Sequence, residues 1–284
     1  MEPVSRIQEC INLIYGHKKN RKSIGLVPTM GALHQGHLSL IERSILETDI
    51  TVVSIFVNPT QFNDQKDLLN YPRNPDGDLA TLSMKLRQQD IVFTPDEKEI
   101  YPEKDTRIFD FGHLDKTMEG KYRKGHFNGV AQIVSKLLEL ITPDKAYFGE
   151  KDFQQLIIIK HLVKILHYPV EIVPCPIIRE EDGLALSSRN QLLSPMERKE
   201  SALISKTLFT SVLRSRERDV EAVRSWVIET LNSSSMLQVE YFDIVNSTDL
   251  KPVKNWNEKG EKIGCIAVKA GKIRLIDNVK FPDF

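Results

Sequence analysis

Two imidazoles, an ammonium, a guanidinium, two primary amides and a pair of hydroxyls mark this chain as one able to handle phosphate. His34 and His37 stand in the run Ile24–His37, IGLVPTMGALHQGH, where a turn meets the start of a helix. A helix N-terminus presents unpaired N–H groups and partial positive charge, and so attracts phosphate. Gly31 and Gly36 remove side chains that would keep an anion from the backbone, and both imidazoles can donate to phosphoryl oxygens from the same side. A plain turn with two surface histidines is the simpler reading; the strand before and the helix after favour nucleotide binding. Two close histidines also suit zinc, but no nearby Cys or His completes a recognisable ligand set.

Lys151 and Asp152 lie in FGEKD, at another strand-to-helix junction, where Asp152 could simply be an N-cap. Gln61 and Gln155 can both donate and accept, enough to hold a hydroxyl and a carboxylate, although either alone suits a surface. Ser187, Ser188 and Arg189 can bind a polyphosphate; a polar turn explains the stretch equally well.

The elements that must position these groups are legible from periodicity. Ile24, Leu26 and Val27 form a short strand that Pro28 to Gly31 breaks. Leu38, Ile41 and Ile45 repeat at helical spacing, and Ile7, Cys10, Ile11 and Ile14 give an opening helix. Thr51–Val57 is apolar on both faces, as in a buried parallel strand. Helices are expected at Leu79–Leu86, Phe127–Ile141 and Leu156–Leu166. Strands are expected at Ile91–Phe93, Ala146–Phe148 and Val170–Val173. This alternation implies a doubly wound parallel sheet of Rossmann-like α/β type. In such sheets ligands bind beyond the carboxyl ends of the strands, so VPTMGALHQGH, NPTQF and FGEKD should converge on one crevice.

Beyond Pro174 and Pro176 the pattern changes to α+β. Ser194, Pro195 and Glu197 make a capped helix start, with Ala202, Ser205, Leu208, Phe209 and Val212 as its inner face. A helix after Asp219 follows, then a strand at Val239–Val245 and a hairpin around Ala270-Gly271. Two domains are expected, residues 1–177 and 178–284.

Bulk composition sets limits. The chain has 284 residues and carries Lys+Arg 39 against Asp+Glu 39, a net charge of zero. That balance disfavours a broad nucleic-acid surface. No stretch has transmembrane length and no signal-peptide core opens the chain, so no membrane partner is expected. Cys10, Cys175 and Cys265 are too scattered for a disulfide framework and read as reduced thiols of a cytoplasmic protein.

PTMGALHQGH, SIFVNPTQF, YPR, EIYP, GHFNGV, FGEKDFQQL, DGLALSSRN and RLIDN, in this order from about Ile24 to Asn278, resemble the pantothenate synthetase (pantoate–β-alanine ligase) family. The wider HIGH nucleotidyl-transfer superfamily shares H-x-G-H alone. The resemblance implies a Rossmann-like domain with a small C-terminal lid, a homodimer in the cytosol, and ATP as co-substrate with Mg²⁺. It implies condensation of (R)-pantoate with β-alanine, releasing AMP and pyrophosphate. By motif position, the ATP site takes Met30, Gly31, Ala32, Leu33, His34, Gln35, Gly36 and His37. His34 and His37 would meet phosphates, with His37 a proton donor. Gly149, Glu150, Lys151 and Asp152 would hold the ribose and, through Lys151, the phosphates and pantoate. The backbone at Ile178 would meet adenine, and Leu186, Ser187, Ser188 and Arg189 would stand in for the KMSKS loop. Gln61 would bind pantoate and lie near β-alanine; Gln155 would bind pantoate. His34, His37, Lys151 and Arg189 are the catalytic candidates, with Arg189 expected to act chiefly once the lid has closed. No protein ligand for Mg²⁺ can be named from sequence. The one departure, Lys124 before Gly125-His126-Phe127, falls in a loop.

Two rivals make different demands. Another HIGH-type enzyme, such as a tRNA synthetase, needs an appendage and a basic surface that this chain lacks. A nucleotidylyltransferase leaves FGEKDFQQL without a purpose. A non-catalytic nucleotide-binding protein has no need of Lys151 and Arg189.

Overall fold

The computed structural model describes residues 2–282. In chain order the elements are α1 (Ile7–Lys19), β1 (Ile24–Thr29), α2 (Gln35–Glu47), β2 (Ile50–Ile55), α3 (Gln65–Leu69), α4 (Pro75–Lys85), β3 (Ile91–Phe93), α5 (Glu97–Ile100), α6 (Met118–Tyr122) and α7 (His126–Ile141). They continue as β4 (Lys145–Gly149), α8 (Phe153–Ile165), β5 (Glu171–Cys175), α9 (Pro195–Arg214), α10 (Val220–Asn232), β6 (Leu237–Asn246), β7 (Lys262–Ala270) and β8 (Ile273–Phe281).

The first five strands form a parallel sheet in the order β3-β2-β1-β4-β5. The chain winds outward from β1 through β2 to β3, then returns to the other side of β1 for β4 and β5. The winding direction therefore reverses between β1 and β4, and the loops after these two strands open a crevice at that point. Helices cover both faces of the sheet. The apolar stripe of α7 is continuous: Phe127, Val130, Val134, Leu137 and Ile141 are all buried. The last three strands form a separate antiparallel sheet, β6-β7-β8, over which α9 and α10 bury Leu208, Val223, Val227 and Leu231.

The Rossmann-like sheet and the smaller α+β unit both match expectation. The capping box also forms, Ser194 Oγ accepting from the Glu197 N–H and Glu197 from that of Ser194.

Three details depart from it. Pro28 does not end β1, which continues to Thr29. Pairing of β1 with β4 stops at Leu26↔Ala146, so by Pro28 the strand has a neighbour only in β2, and a missing N–H is tolerated as at an edge. Asp152 stands at the N-cap position of α8, but its side chain makes no capping bond, which removes the simple explanation for it. Phe209 is half exposed rather than inner; the Arg179 guanidinium lies 4.9 Å from its ring centre, a cation–π contact. Cys10, Cys175 and Cys265 are free and buried. Among the described residues no helix is long and apolar enough to cross a membrane.

Candidate active site

The loop after β1 is built around an unusual backbone. Gly31 has φ +79° and Ala32 φ +49°, so two successive residues are left-handed, the second at a steric cost. What holds them is Asp78 on α4. Its two carboxylate oxygens accept the Ala32 N–H at 2.8 Å and the Leu33 N–H at 2.7 Å. Thr29 Oγ1 accepts the Gly31 N–H at 3.3 Å and donates to the Ser54 carbonyl at 2.8 Å. A Cβ on Gly31 would stand 2.9 Å from Asp78 Oδ2, so glycine is required by φ and by space.

This loop delivers His34 to the N-cap of α2 and His37 to its first turn. His34 Nδ1 accepts the Gly36 N–H at 3.1 Å, and His37 Nδ1 accepts the His34 N–H at 3.3 Å. The rings lie 4.1 Å apart. With Nδ1 accepting on both, each neutral ring carries its proton on Nε2 and has that N–H to offer a ligand. Burial depresses both pKa values, to about 4 for His34, where Lys151 adds repulsion, and to about 3 for His37, beside His34 and Lys151. The pair is therefore neutral at pH 7, and serves as two N–H donors rather than as two cations.

Gln61 comes from the turn Pro59–Gln61 after β2. Its Oε1 accepts from Asn58 Nδ2 at 3.2 Å, and its Nε2 lies 3.1 Å from Met30 Sδ. Asn58, 1% exposed, also donates to the Gly129 carbonyl at 3.0 Å and accepts from Tyr101 Oη at 2.9 Å. The turn can sit there because residue 129 is glycine: a Cβ would fall 2.2 Å from the Thr60 carbonyl oxygen. His126 fixes the same turn, its Nδ1 lying 2.8 Å from the Gln61 carbonyl oxygen, and burial holds it neutral with a pKa of about 3.

From β4 the turn Glu150–Asp152 presents Lys151, whose ammonium is 3.8 Å from Asp152 Oδ2. Gln155, in the first turn of α8, lines the same cleft. The loop Leu186–Arg189 reaches over from the C-terminal side. Ser188 Oγ donates to the Ala32 carbonyl at 3.1 Å. Arg189 meets both oxygens of Asp67 at 3.0 and 2.9 Å and lies 5.4 Å from the Tyr71 ring centre. Arg189 thus already sits at the mouth of the cleft, held to α3.

Of the residues singled out from sequence, Met30, His34, Gly36, His37, Gln61, Gly149, Lys151, Asp152, Gln155, Ile178, Leu186, Ser187, Ser188 and Arg189 line this one cleft. Gly31, Ala32 and Leu33 shape its loop from behind, Gln35 is exposed, and Glu150 turns to Lys280 at 3.3 Å. Sequence reasoning left out Asn58, Tyr71 and Asp78. The first two stand in NPTQF and YPR, whose position in the chain was a sufficient signal. Asp78 had none, because its partners lie 46 and 45 residues away. Among the described residues no group of three or more His, Cys, Asp or Glu side chains is arranged to hold a metal ion.

The family model for pantoate-beta-alanine ligase matches residues 2–280. The pantothenate synthetase of Porphyromonas gingivalis is 52% identical over 283 residues, covering 100% of both chains. That of Bacteroides fragilis is 51% identical over 266 residues, 94% of each. The crystal structure of pantothenate synthetase from Thermus thermophilus superposes with a TM-score of 0.92 at 38% identity, over 99% of this chain and 100% of that one. A Francisella tularensis pantoate-beta-alanine ligase, described as complexed with beta-gamma ATP and beta-alanine, gives 0.81 at 35% identity, over 99% and 97%. With the family model spanning nearly its whole length and relatives of this closeness covering it end to end, the chain belongs to the pantoate–β-alanine ligase family.

Proposed function

We propose that this protein condenses (R)-pantoate with β-alanine at the expense of ATP, through a pantoyl adenylate. The observation that carries the reading is convergence. Neutral His34 and His37, the Lys151 ammonium, the Gln61 and Gln155 amides and the Ser187–Arg189 loop come from four stretches of the sequence to one cleft at the switch point of the sheet.

In the first step a pantoate carboxylate oxygen attacks the α-phosphorus of ATP. The bond from that phosphorus to the bridging oxygen breaks, and pyrophosphate leaves with the electron pair. The two imidazole Nε2–H groups donate to phosphoryl oxygens at the N-terminus of α2, Lys151 offsets charge that develops at the α-phosphate, and Arg189 exchanges Asp67 for the departing diphosphate. Gln61 and Gln155 hold pantoate's hydroxyl and carboxylate in line. In the second step the neutral amine of β-alanine attacks the acyl carbon, the bond to AMP breaks, and the nitrogen sheds a proton. On this reading Gln61 also meets the incoming amine. No acylating nucleophile on the protein takes part, in keeping with three buried thiols.

Mg²⁺ fits as an ion carried in by the nucleotide: with no ready-made cluster of ligating side chains among the described residues, its oxygens would come from phosphates and water, as is usual for this ion. When bound it neutralises phosphate charge. The same reading keeps the division at residue 177, ascribes the lid role to residues 178–284, and places the protein in the cytoplasm as a homodimer.

Pyrophosphate release across a panel of hydroxy acids and amines tests the reading. Release is expected with pantoate alone at a single turnover and continuously once β-alanine is added. Steady release with another acid, and none with pantoate, would assign the cleft to a different ligation.

A further inference from the structure

RLIDN, Arg274–Asn278, has no part in the chemistry above, yet Asp277 and Asn278 are buried where the two sheets meet. Asn278 on β8 is 5% exposed. Its Nδ2 donates to the carbonyl of Glu150 at 2.8 Å and to that of Lys151 at 3.0 Å. One amide nitrogen thus gives both its hydrogens to adjacent carbonyls of the turn that presents Lys151. Asp277, 4% exposed, grips Arg179 with both oxygens at 2.7 and 2.9 Å and accepts the Asn278 backbone N–H at 2.7 Å. Arg179 begins the segment that leads to the Ser187–Arg189 loop, and that segment folds back on itself through the Leu186 N–H to Ile178 carbonyl bond at 3.0 Å. Two consecutive residues of the C-terminal sheet therefore anchor the roots of both cationic elements of the cleft.

The residue types suit these tasks. A turn whose carbonyls face a buried seam needs a donor, and a neutral amide brings two hydrogens without a charge. A carboxylate there would bring none and would oppose two carbonyl dipoles. Lysine is a flexible four-carbon stem with a point charge at its end, so aiming it depends on where its backbone is fixed.

We propose that Asn278 is a positioning residue for Lys151, holding the lysine's turn from the C-terminal sheet so that the ammonium is set only while that domain is seated. The inference rests on the role given to Lys151 above.

A double-mutant cycle tests it, with pyrophosphate release measured for wild type, Asn278→Ala, Lys151→Ala and the double variant. Asn278→Ala is expected to lower kcat about ten-fold or more, a misplacement effect, with KM for β-alanine moved less than about two-fold. In the Lys151→Ala background the same change should cost less than about two-fold, because coupled residues do not add. Equal losses in both backgrounds, or a wild-type rate for Asn278→Ala while Lys151→Ala is impaired, would overturn the positioning role and leave the proposed chemistry standing. A wild-type rate for Lys151→Ala would overturn the role of the lysine itself. Asn278→Ser, too short to reach both carbonyls but still polar, keeps the cycle usable if the alanine variant does not fold.

Discussion

At the scale of the residue, the cleft depends on two histidines being neutral. Their folded pKa values, about 4 and about 3, lie below the ordinary value near 6.5. Between those values and 6.5 the unfolded chain binds more protons than the folded one. Each histidine therefore subtracts stability as pH falls from about 6.5 towards 4, and neither contributes above that window. We predict that imidazole resonances of His34 and His37 in the ligand-free protein stay those of the Nε2–H tautomer down to pH 5. Replacing His37 by Gln should shrink the loss of melting temperature between pH 7 and pH 5. Titration of both near pH 6.5 would contradict the donor assignment. The histidines were conspicuous in the sequence, but their neutrality was not: it comes from burial and from Lys151, which is 114 positions beyond His37 in the numbering.

At the scale of the element, the loop after β1 is only as good as its support from α4. Asp78, 3% exposed, satisfies two N–H groups of a left-handed stretch. Asp78→Ala leaves both unpaired, a cost of about 1–3 kcal/mol each, and frees the loop that aims the imidazoles. The expected outcome is a fall in melting temperature together with a drop in kcat of about a hundred-fold, the scale of a misplacement near 1 Å. Asp78→Asn, which retains one acceptor, should fall between; full turnover by folded Asp78→Ala would show that the loop needs no such support. Long periodic elements such as α7, the capped start of α9 and the β7–β8 hairpin were legible because their signals are local. The helices α3, α5 and α6 were not, since four or five residues do not complete a period that pattern can detect. Pro28 misled for a different reason: its tolerance depends on where a neighbouring strand stops pairing, a tertiary fact.

At the scale of the whole molecule, the two sheets are joined by more than a hinge. The first core extends into the second unit, with Tyr241, Val245, Ile263 and Ala267 packed among residues of the parallel sheet's side. Buried Glu119 on α6 takes the Arg274 guanidinium at 2.7 and 2.8 Å and the Tyr241 hydroxyl at 2.7 Å. Arg189 was expected to act chiefly on closure, yet it is already tied to Asp67. That pair is partly exposed, so solvent leaves it worth little, and on the proposed reading a triphosphate displaces the carboxylate. A cleft that closed over its contents would suit an acyl adenylate, which water would destroy. The existence of that intermediate is the central claim, and isotope transfer tests it most directly. Pantoate carrying ¹⁸O in both carboxylate oxygens should yield AMP with one ¹⁸O per turnover and pantothenate that keeps the other in its new amide carbonyl. Unlabelled AMP, with the label found in inorganic phosphate or pyrophosphate instead, would contradict attack of the carboxylate on the α-phosphorus.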